Sequence, residues 1–260
     1  MILIRKIQIP SLPTERPRRL YIALPKDYEK TDRRYPVLYM FDGHNVFYDS
    51  HATYGRSWGM REYLKKSKRA VIVVGIECNP EGNNRLCEYS PWDFSAWDFG
   101  PIKGRGRKTM EWMTKELKPA IDAEFRTLPD REHTMIAGSS MGGLMAVYAA
   151  VAYNKVFSRA AGMSPCLFIH PEKMKSLIAR RRIARPTRIY MDYGSGETGE
   201  KPYDWTLMFD MAAALSNAGA HVAAAVIPDA LHSEAFWEKR IPPCMDFLWI
   251  KSVLPQKESE

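Results

Sequence analysis

Gly138-Ser139-Ser140-Met141-Gly142 restricts what this chain can fold into more than any other stretch. It reads G-x-S-x-G with Ser140 in the nucleophile position. Ser139 does not fit that register, because residue 137 is Ala where the pattern needs Gly. The run 133–137 is short, apolar and β-branched, as a buried strand is. Residues 142–153 are rich in Ala, Leu, Met and Val and read as a buried helix. A serine caught between a strand and a helix sits on a very tight turn. Glycines on either side keep side chains from clashing there and tolerate the strain. Such a turn lifts the hydroxyl above the sheet, over a helix N-terminus that favours developing negative charge.

The rest of the pattern supplies a sheet for that turn. The chain has 260 residues, 45% hydrophobic and 26% charged, which suits one large α/β domain spanning 1–260. Residues 2–9 and 19–24 read as two strands forming an antiparallel N-terminal edge. The nearly continuous apolar runs 37–41 and 70–76 predict central strands covered on both faces. Strands are expected at 158–163, 187–193 and 221–227. Helices are expected at 57–66 with Ser57 as N-cap, 109–125, 171–182, 204–218 and 234–250. Pro119 should bend or break the second of these. The alternation implies a mostly parallel central sheet with helices on both faces, its sites at the carboxyl ends of the strands. Residues 77–108 show no convincing periodicity but carry Trp92 and Trp97 among several aromatics. A loop of that length is expected to overhang the cleft at Ser140. Either tryptophan can line a substrate pocket for a bulky or sugar-linked ester, or simply pack the loop onto the domain.

A serine hydroxyl needs a base, and histidine has the right pKa for it. Of six histidines, His133 and His221 open strands at the wrong end of the sheet, and His51 and His170 lie in segments away from the site. His232 follows the last strand just before the final helix, where the chain order Ser, acid, His places a base. The orienting acid belongs after the strand ending Tyr190-Met191-Asp192-Tyr193. Glu197 stands in the loop, free to reach an imidazole; Asp192 stands within the strand and is the alternative. Two backbone N–H donors are needed for an oxyanion. Met141, after the nucleophile, offers one, and His44, in the loop Asp42-Gly43-His44, offers the other. Gly43 allows a close backbone approach, while Asp42 orders that loop or contacts substrate. Gly194 to Gly199 matches G-x-G-x-x-G, yet no helix opens directly after it and no acid follows about twenty residues on, so it is no dinucleotide fingerprint.

Tyr39-Met40-Phe41-Asp42-Gly43-His44-Asn45-Val46-Phe47, Gly138-Ser139-Ser140-Met141-Gly142-Gly143 and His232-Ser233-Glu234-Ala235-Phe236-Trp237 stand out as three segments. Together they resemble the putative-esterase family of α/β-hydrolases. That family groups feruloyl and acetyl esterases, S-formylglutathione hydrolases, enterochelin-type esterases and mycolyltransferases. The resemblance runs from about Arg19 to Leu248. It implies an α/β-hydrolase fold, Ser140 as nucleophile, His232 as base, and the amides of His44 and Met141 as the oxyanion hole. The family's acid varies between Asp and Glu, which leaves Glu197 and Asp192 both open. No metal or organic cofactor is implied.

Charge and cysteines narrow the partners. Net charge is +8, with basic residues clustered at 103–108 and at Arg180-Arg181-Arg182 with Arg185 and Arg188. Neither cluster belongs to a nucleic-acid motif; both read as a solvated loop and helix end, with acidic substrates or polyanionic surfaces as the alternative. No apolar run reaches the length of a membrane span, and no signal peptide is visible. The four cysteines show neither C-x-x-C pairing nor zinc spacing, and a cytoplasmic home is expected. The expected function is a serine carboxylic-ester hydrolase on a small-molecule or carbohydrate ester, working through a triad and an acyl-enzyme. An acyltransferase with the same triad and a catalytically silent ligand-binding scaffold are the competing readings.

Overall fold

A computed structural model describes residues 1–96, 100–197 and 205–249. Among the described residues, ten strands run in chain order: β1 (Ile2–Ile7), β2 (Arg18–Ala23), β3 (Val37–Phe41), β4 (Ile72–Ile76), β5 (Phe94–Ala96), β6 (Gly100–Ile102), β7 (Thr134–Ser139), β8 (Arg159–Met163), β9 (Arg188–Gly194) and β10 (His221–Ile227). Eight of them form one sheet in the order β1-β2-β4-β3-β7-β8-β9-β10, while β5 and β6 pair as a separate antiparallel hairpin. The six strands from β4 to β10 in the large sheet are parallel, and β1 and β2 join antiparallel at one edge. Every residue of β3, β4, β7 and β8 is buried, as strands covered on both faces must be.

The helices are α1 (Met60–Lys66), α2 (Asn84–Glu88), α3 (Gly106–Trp112), α4 (Lys118–Glu124), α5 (Met141–Ala152), α6 (Pro171–Arg180), α7 (Trp205–Asn217) and α8 (Glu234–Leu248). Helices α1 and α8 close one face of the sheet, where Trp58, Trp237, Ile241 and Met245 pack on Leu38, Met40 and Ala161. The remaining long helices close the other face, around Phe41, Leu144, Val147 and Ile189. Helix α5 is buried along nearly its whole length, which matches its small apolar composition.

Three local expectations change. Ser57 is no N-cap: α1 starts at Met60 after Gly59, and the Ser57 hydroxyl donates instead to Asp49 Oδ1 at 2.7 Å. The helix expected from residue 109 begins at Gly106 and passes Pro119 without a break. A wide π turn at Met113–Leu117, in which the Lys118 N–H donates to the Met113 carbonyl, absorbs the proline's missing donor and ring. Segment 77–108 is not featureless, since it contains α2 and the β5–β6 hairpin. A bidentate pair between Arg18 and Glu88, both 3% exposed, fixes α2 against β2 at 2.6 and 2.7 Å.

Candidate active site

Ser140 stands between β7 and α5 with φ 56° and ψ −121°, a backbone region that a non-glycine residue adopts only under strain. The elbow glycines are sterically required. A Cβ on Gly138 would lie 2.6 Å from the Gly142 carbonyl carbon, and one on Gly142 would lie 2.9 Å from Phe41 Cβ. The Ser140 N–H donates to the Met163 carbonyl at 2.9 Å and the Cys166 N–H donates to the Ser140 carbonyl at 3.1 Å, so β8 and its following loop pin the turn from both sides. The Ser140 hydroxyl lies 3.4 Å from Cys166 Sγ. Burial pushes that thiol up to about 11, so it remains protonated.

His232 follows β10 and places Nδ1 at 2.8 Å from Glu197 Oε2. A donated Nδ1–H leaves Nε2 as the ring's acceptor. Glu197 lies in the turn after β9, and its other oxygen accepts from the Ser164 hydroxyl at 2.7 Å, the Gly194 N–H at 2.8 Å and Arg240 Nη2 at 3.0 Å. Burial alone would raise this carboxyl, but the hydrogen bonds from His232 and Ser164 outweigh it and hold the group below its ordinary value. Asp192 has different surroundings. It accepts from the Tyr190 hydroxyl at 2.7 Å and from Arg240 Nη1 at 3.1 Å, and burial raises its pKa. Of the two candidate acids, Glu197 is the one brought to the imidazole.

Asp42, Gly43 and His44 follow β3. Asp42 takes a left-handed backbone (φ 55°) and is almost fully buried, its two oxygens each 2.8 Å from Arg85 of α2. Burial opposes ionisation, but the guanidinium more than compensates and lowers the carboxyl's pKa. Gly43 is needed for a close approach, as expected, though to the sheet: an added Cβ would fall 2.3 Å from the Gly75 carbonyl carbon. The bonds inside this turn are donated by the Asn45 and Val46 amides, the ones after His44. Met141 opens α5, so its N–H has no intrahelical acceptor. The His44 ring is buried, with Nε2 at 3.0 Å from Thr53 Oγ1.

Ser140, His232, Asp42, His44 and Arg85 line one cavity of about 630 Å³, together with Asn79, Glu234 and Trp237. Trp92 does not. Just before β5, it packs edge-to-face on Tyr148 of α5 at 5.7 Å and lines a different cavity. Trp97 lies outside the described residues. The donor atoms of Asp42, His44 and Cys78 lie within 4.8 Å of one another, a set with metal-binding composition. Arg85 already matches the carboxylate, and burial keeps Cys78 well above its ordinary pKa, so these residues suit a hydrogen-bonded cluster better than a cation.

The family described as putative esterase matches residues 11–247. The chain belongs to the putative-esterase family. It is a carboxylic ester hydrolase on an α/β-hydrolase-type fold. This esterase is 26% identical over 193 residues to the protein YbbA of Bacillus subtilis (strain 168), covering 71% of this chain and 70% of YbbA. It superposes on an IroE-like serine hydrolase from Shewanella oneidensis with TM-score 0.72 and 21% identity, over 95% of this chain and 79% of that one. The enterobactin esterase FES from Shigella flexneri gives TM-score 0.69 and 17% identity, over 96% of this esterase but only 58% of FES.

Four residues of the esterase site have no counterpart in the motif reading: Arg85, Ser164, Cys166 and Arg240. Ser164 donates its single hydroxyl proton to Glu197 and accepts from Trp237 Nε1 at 3.1 Å and Arg240 Nη1 at 2.7 Å, which uses its full bonding capacity. Trp237 also meets the His232 ring edge-on at 4.9 Å. For Arg240 there was a signal: a cation on the α8 face formed by Trp237, Ile241, Cys244, Met245 and Leu248 must have buried anionic partners.

Proposed function

We propose that this esterase works through a Ser140–His232–Glu197 triad. The observation that carries it is the 2.8 Å contact between His232 and Glu197, with the same histidine lining one cavity with Ser140. Nε2 of His232 takes the Ser140 proton as Oγ attacks the ester carbonyl. The amides of Met141 and His44 stabilise the oxyanion of the tetrahedral intermediate. His232 returns the proton to the departing alkoxide, leaving an acyl-serine and free alcohol. Water then attacks the acyl carbon, His232 taking its proton and passing it to Ser140 Oγ as the acid leaves. Every proton moves between Ser140, His232, the attacking water and substrate oxygens, and no cofactor is needed. Glu197 stays ionised throughout and stabilises the imidazolium.

The substrate reading follows from the cleft. Its walls carry Arg85, Asn79, His44 and Asp42, a polar set for an acyl or alcohol moiety bearing oxygens. Acyl-aryl and sugar-linked esters both have that character. An enterobactin esterase shares the fold, which favours an oxygen-rich ester over a plain alkyl one. All four cysteines are free, which suits a reducing compartment such as the cytoplasm. Assaying the purified protein with p-nitrophenyl acetate, acetylated sugars and feruloyl esters tests both claims. Turnover of one of these, abolished in Ser140→Ala together with fluorophosphonate labelling, is the expected result. Labelling that persists in that variant moves the nucleophile elsewhere.

A further inference from the structure

The basic clusters at 103–108 and 180–182 lie some seventy residues apart in sequence, yet the fold brings Arg107 and Arg181 to the same cavity. It measures about 710 Å³ and shares no lining residue with the one at Ser140. Trp92 and Tyr148 form its aromatic floor, in edge-to-face contact at 5.7 Å. Arg107 from α3 and Lys173, Arg180 and Arg181 from α6 and its end stand around it, all exposed. Lys173 and Arg180 are seven residues apart on α6, so the cationic rim extends about 10 Å along that helix. Gly104 locks one cluster to the aromatic floor, since a Cβ there would lie 2.4 Å from the Trp92 carbonyl carbon.

The charges are not balanced from within. None of Arg107, Lys173, Arg180 or Arg181 pairs with a carboxylate among the described residues; Arg180 bonds only to Ser176. The one acid in the lining, Glu172, is exposed and lies 3.9 Å from Lys175. Glu111 on α3, Asp210 on α7 at 3.7 Å from Lys175, and Asp93, paired with Lys103 at 2.5 Å, are further acids of this neighbourhood. Like charges converging on one concavity repel, and an anion seated among them relieves that repulsion. A merely solvated face would spread its cations over a convex surface and would not place them above a half-buried indole. Volume and lining also agree: a few hundred Å³, apolar below and charged at the rim, is the form of a small-ligand site.

We infer that the Trp92–Tyr148 cleft is a second site, separate from the Ser140 cavity, for a small ligand carrying two or more phosphate-type charges beside a flat ring. The rim arginines take the charge through forked N–H donors, and the indole takes the ring. Tyr148 lies eight residues beyond Ser140 along α5, about 12 Å of helix. The proposed ligand is therefore bound apart from the ester.

Isothermal titration calorimetry of the purified protein at low salt tests the site with three probes. ADP carries ring and charge, tripolyphosphate charge alone, and adenosine ring alone. The expected order is ADP tighter than tripolyphosphate, with no saturable heat from adenosine. Arg107→Ala/Arg181→Ala should weaken ADP at least about tenfold, as lost charge-assisted bonds do. Both residues are exposed, so this variant should fold, and its turnover of p-nitrophenyl acetate should match the parent's. Trp92→Leu should bring ADP to the level of tripolyphosphate. The inference is overturned if ADP and tripolyphosphate both give no saturable heat at millimolar concentration. ADP binding that survives the double substitution unchanged overturns it as well. Equal affinity for tripolyphosphate and ADP in the parent protein removes the ring from the ligand's description.

Discussion

Arg240 places Nη2 3.0 Å from Glu197 Oε1, the carboxylate oxygen that His232 does not use. The glutamate is thus gripped at both ends, by an imidazole on one oxygen and a guanidinium on the other. The same guanidinium reaches Asp192 at 3.1 Å, so two buried carboxylates share one cation. Replacing Arg240 with Met removes the full positive charge bonded to both. Breaking a buried pair this way costs about 3–5 kcal/mol. Urea unfolding should show a loss of that order, whereas a loss below 1 kcal/mol would mean the carboxylates manage without the arginine.

The two acids should separate in kinetics. Glu197→Gln is expected to lower kcat by several orders of magnitude, about 10⁴ by analogy with a serine protease triad. Asp192→Asn keeps one of the two acceptor oxygens that Arg240 and Tyr190 use and lies away from the imidazole, so a far smaller loss is expected. Measuring kcat of both variants on p-nitrophenyl acetate decides between them, and the reverse ranking reassigns the acid.

Acid stability follows from the Glu197 shift. Its folded-state pKa lies below the ordinary glutamate value, so its stabilising contribution is complete above that value and vanishes as the pH falls through the folded one. Asp192 is shifted upward and acts with the opposite sign, so the parent's profile alone mixes the two. The informative quantity is the difference between parent and Glu197→Gln. Between neutral pH and about pH 3 the parent should lose more unfolding free energy than the variant. Parallel profiles would show that Glu197 is not held ionised by its bonds.

Gly43→Ala tests the turn after β3. An added Cβ meets the Gly75 backbone, which cannot rotate away, and overpacking of this kind costs about 1–3 kcal/mol. The turn must also shift, taking the His44 amide with it. The expected signature is a fall in kcat larger than any change in fluorophosphonate labelling of Ser140, because labelling needs less of the oxyanion site.

Trp92→Ala should leave KM unchanged for every ester tested and lower the melting temperature through the lost contact with Tyr148. A selective rise in KM for a bulky ester would return Trp92 to the substrate cleft.

The elements that were readable from sequence are those whose burial repeats: the fully buried strands β3, β4 and β7 and the strand–turn–helix at Ser140. Apolar period and glycine spacing are local properties, and each is legible within ten residues. Trp92 lines a cavity other than the serine's, a placement the sequence does not carry because an aromatic side chain reports only that it will be buried, not on which side of a loop. Arg85, Ser164 and Cys166 were missed for a related reason. Each acts through a residue distant in sequence, Arg85 on Asp42, Ser164 on Glu197 and Cys166 on Ser140, and no spacing rule links them. The π turn at Met113–Leu117 was half-visible, since Pro119 announced an irregularity without saying whether the helix would kink or widen.

Gly194 has no room for a side chain: a Cβ would lie 2.0 Å from the Ala230 carbonyl oxygen. The Gly196 N–H donates to that same oxygen at 3.0 Å, and the Asp229 N–H donates to Ser195 Oγ at 2.7 Å. The segments bearing Glu197 and His232 are therefore stitched together by one bond between backbones and one to the Ser195 side chain. They form a single transplantable cassette, and anyone grafting a new substrate loop onto this scaffold must exchange both segments or neither.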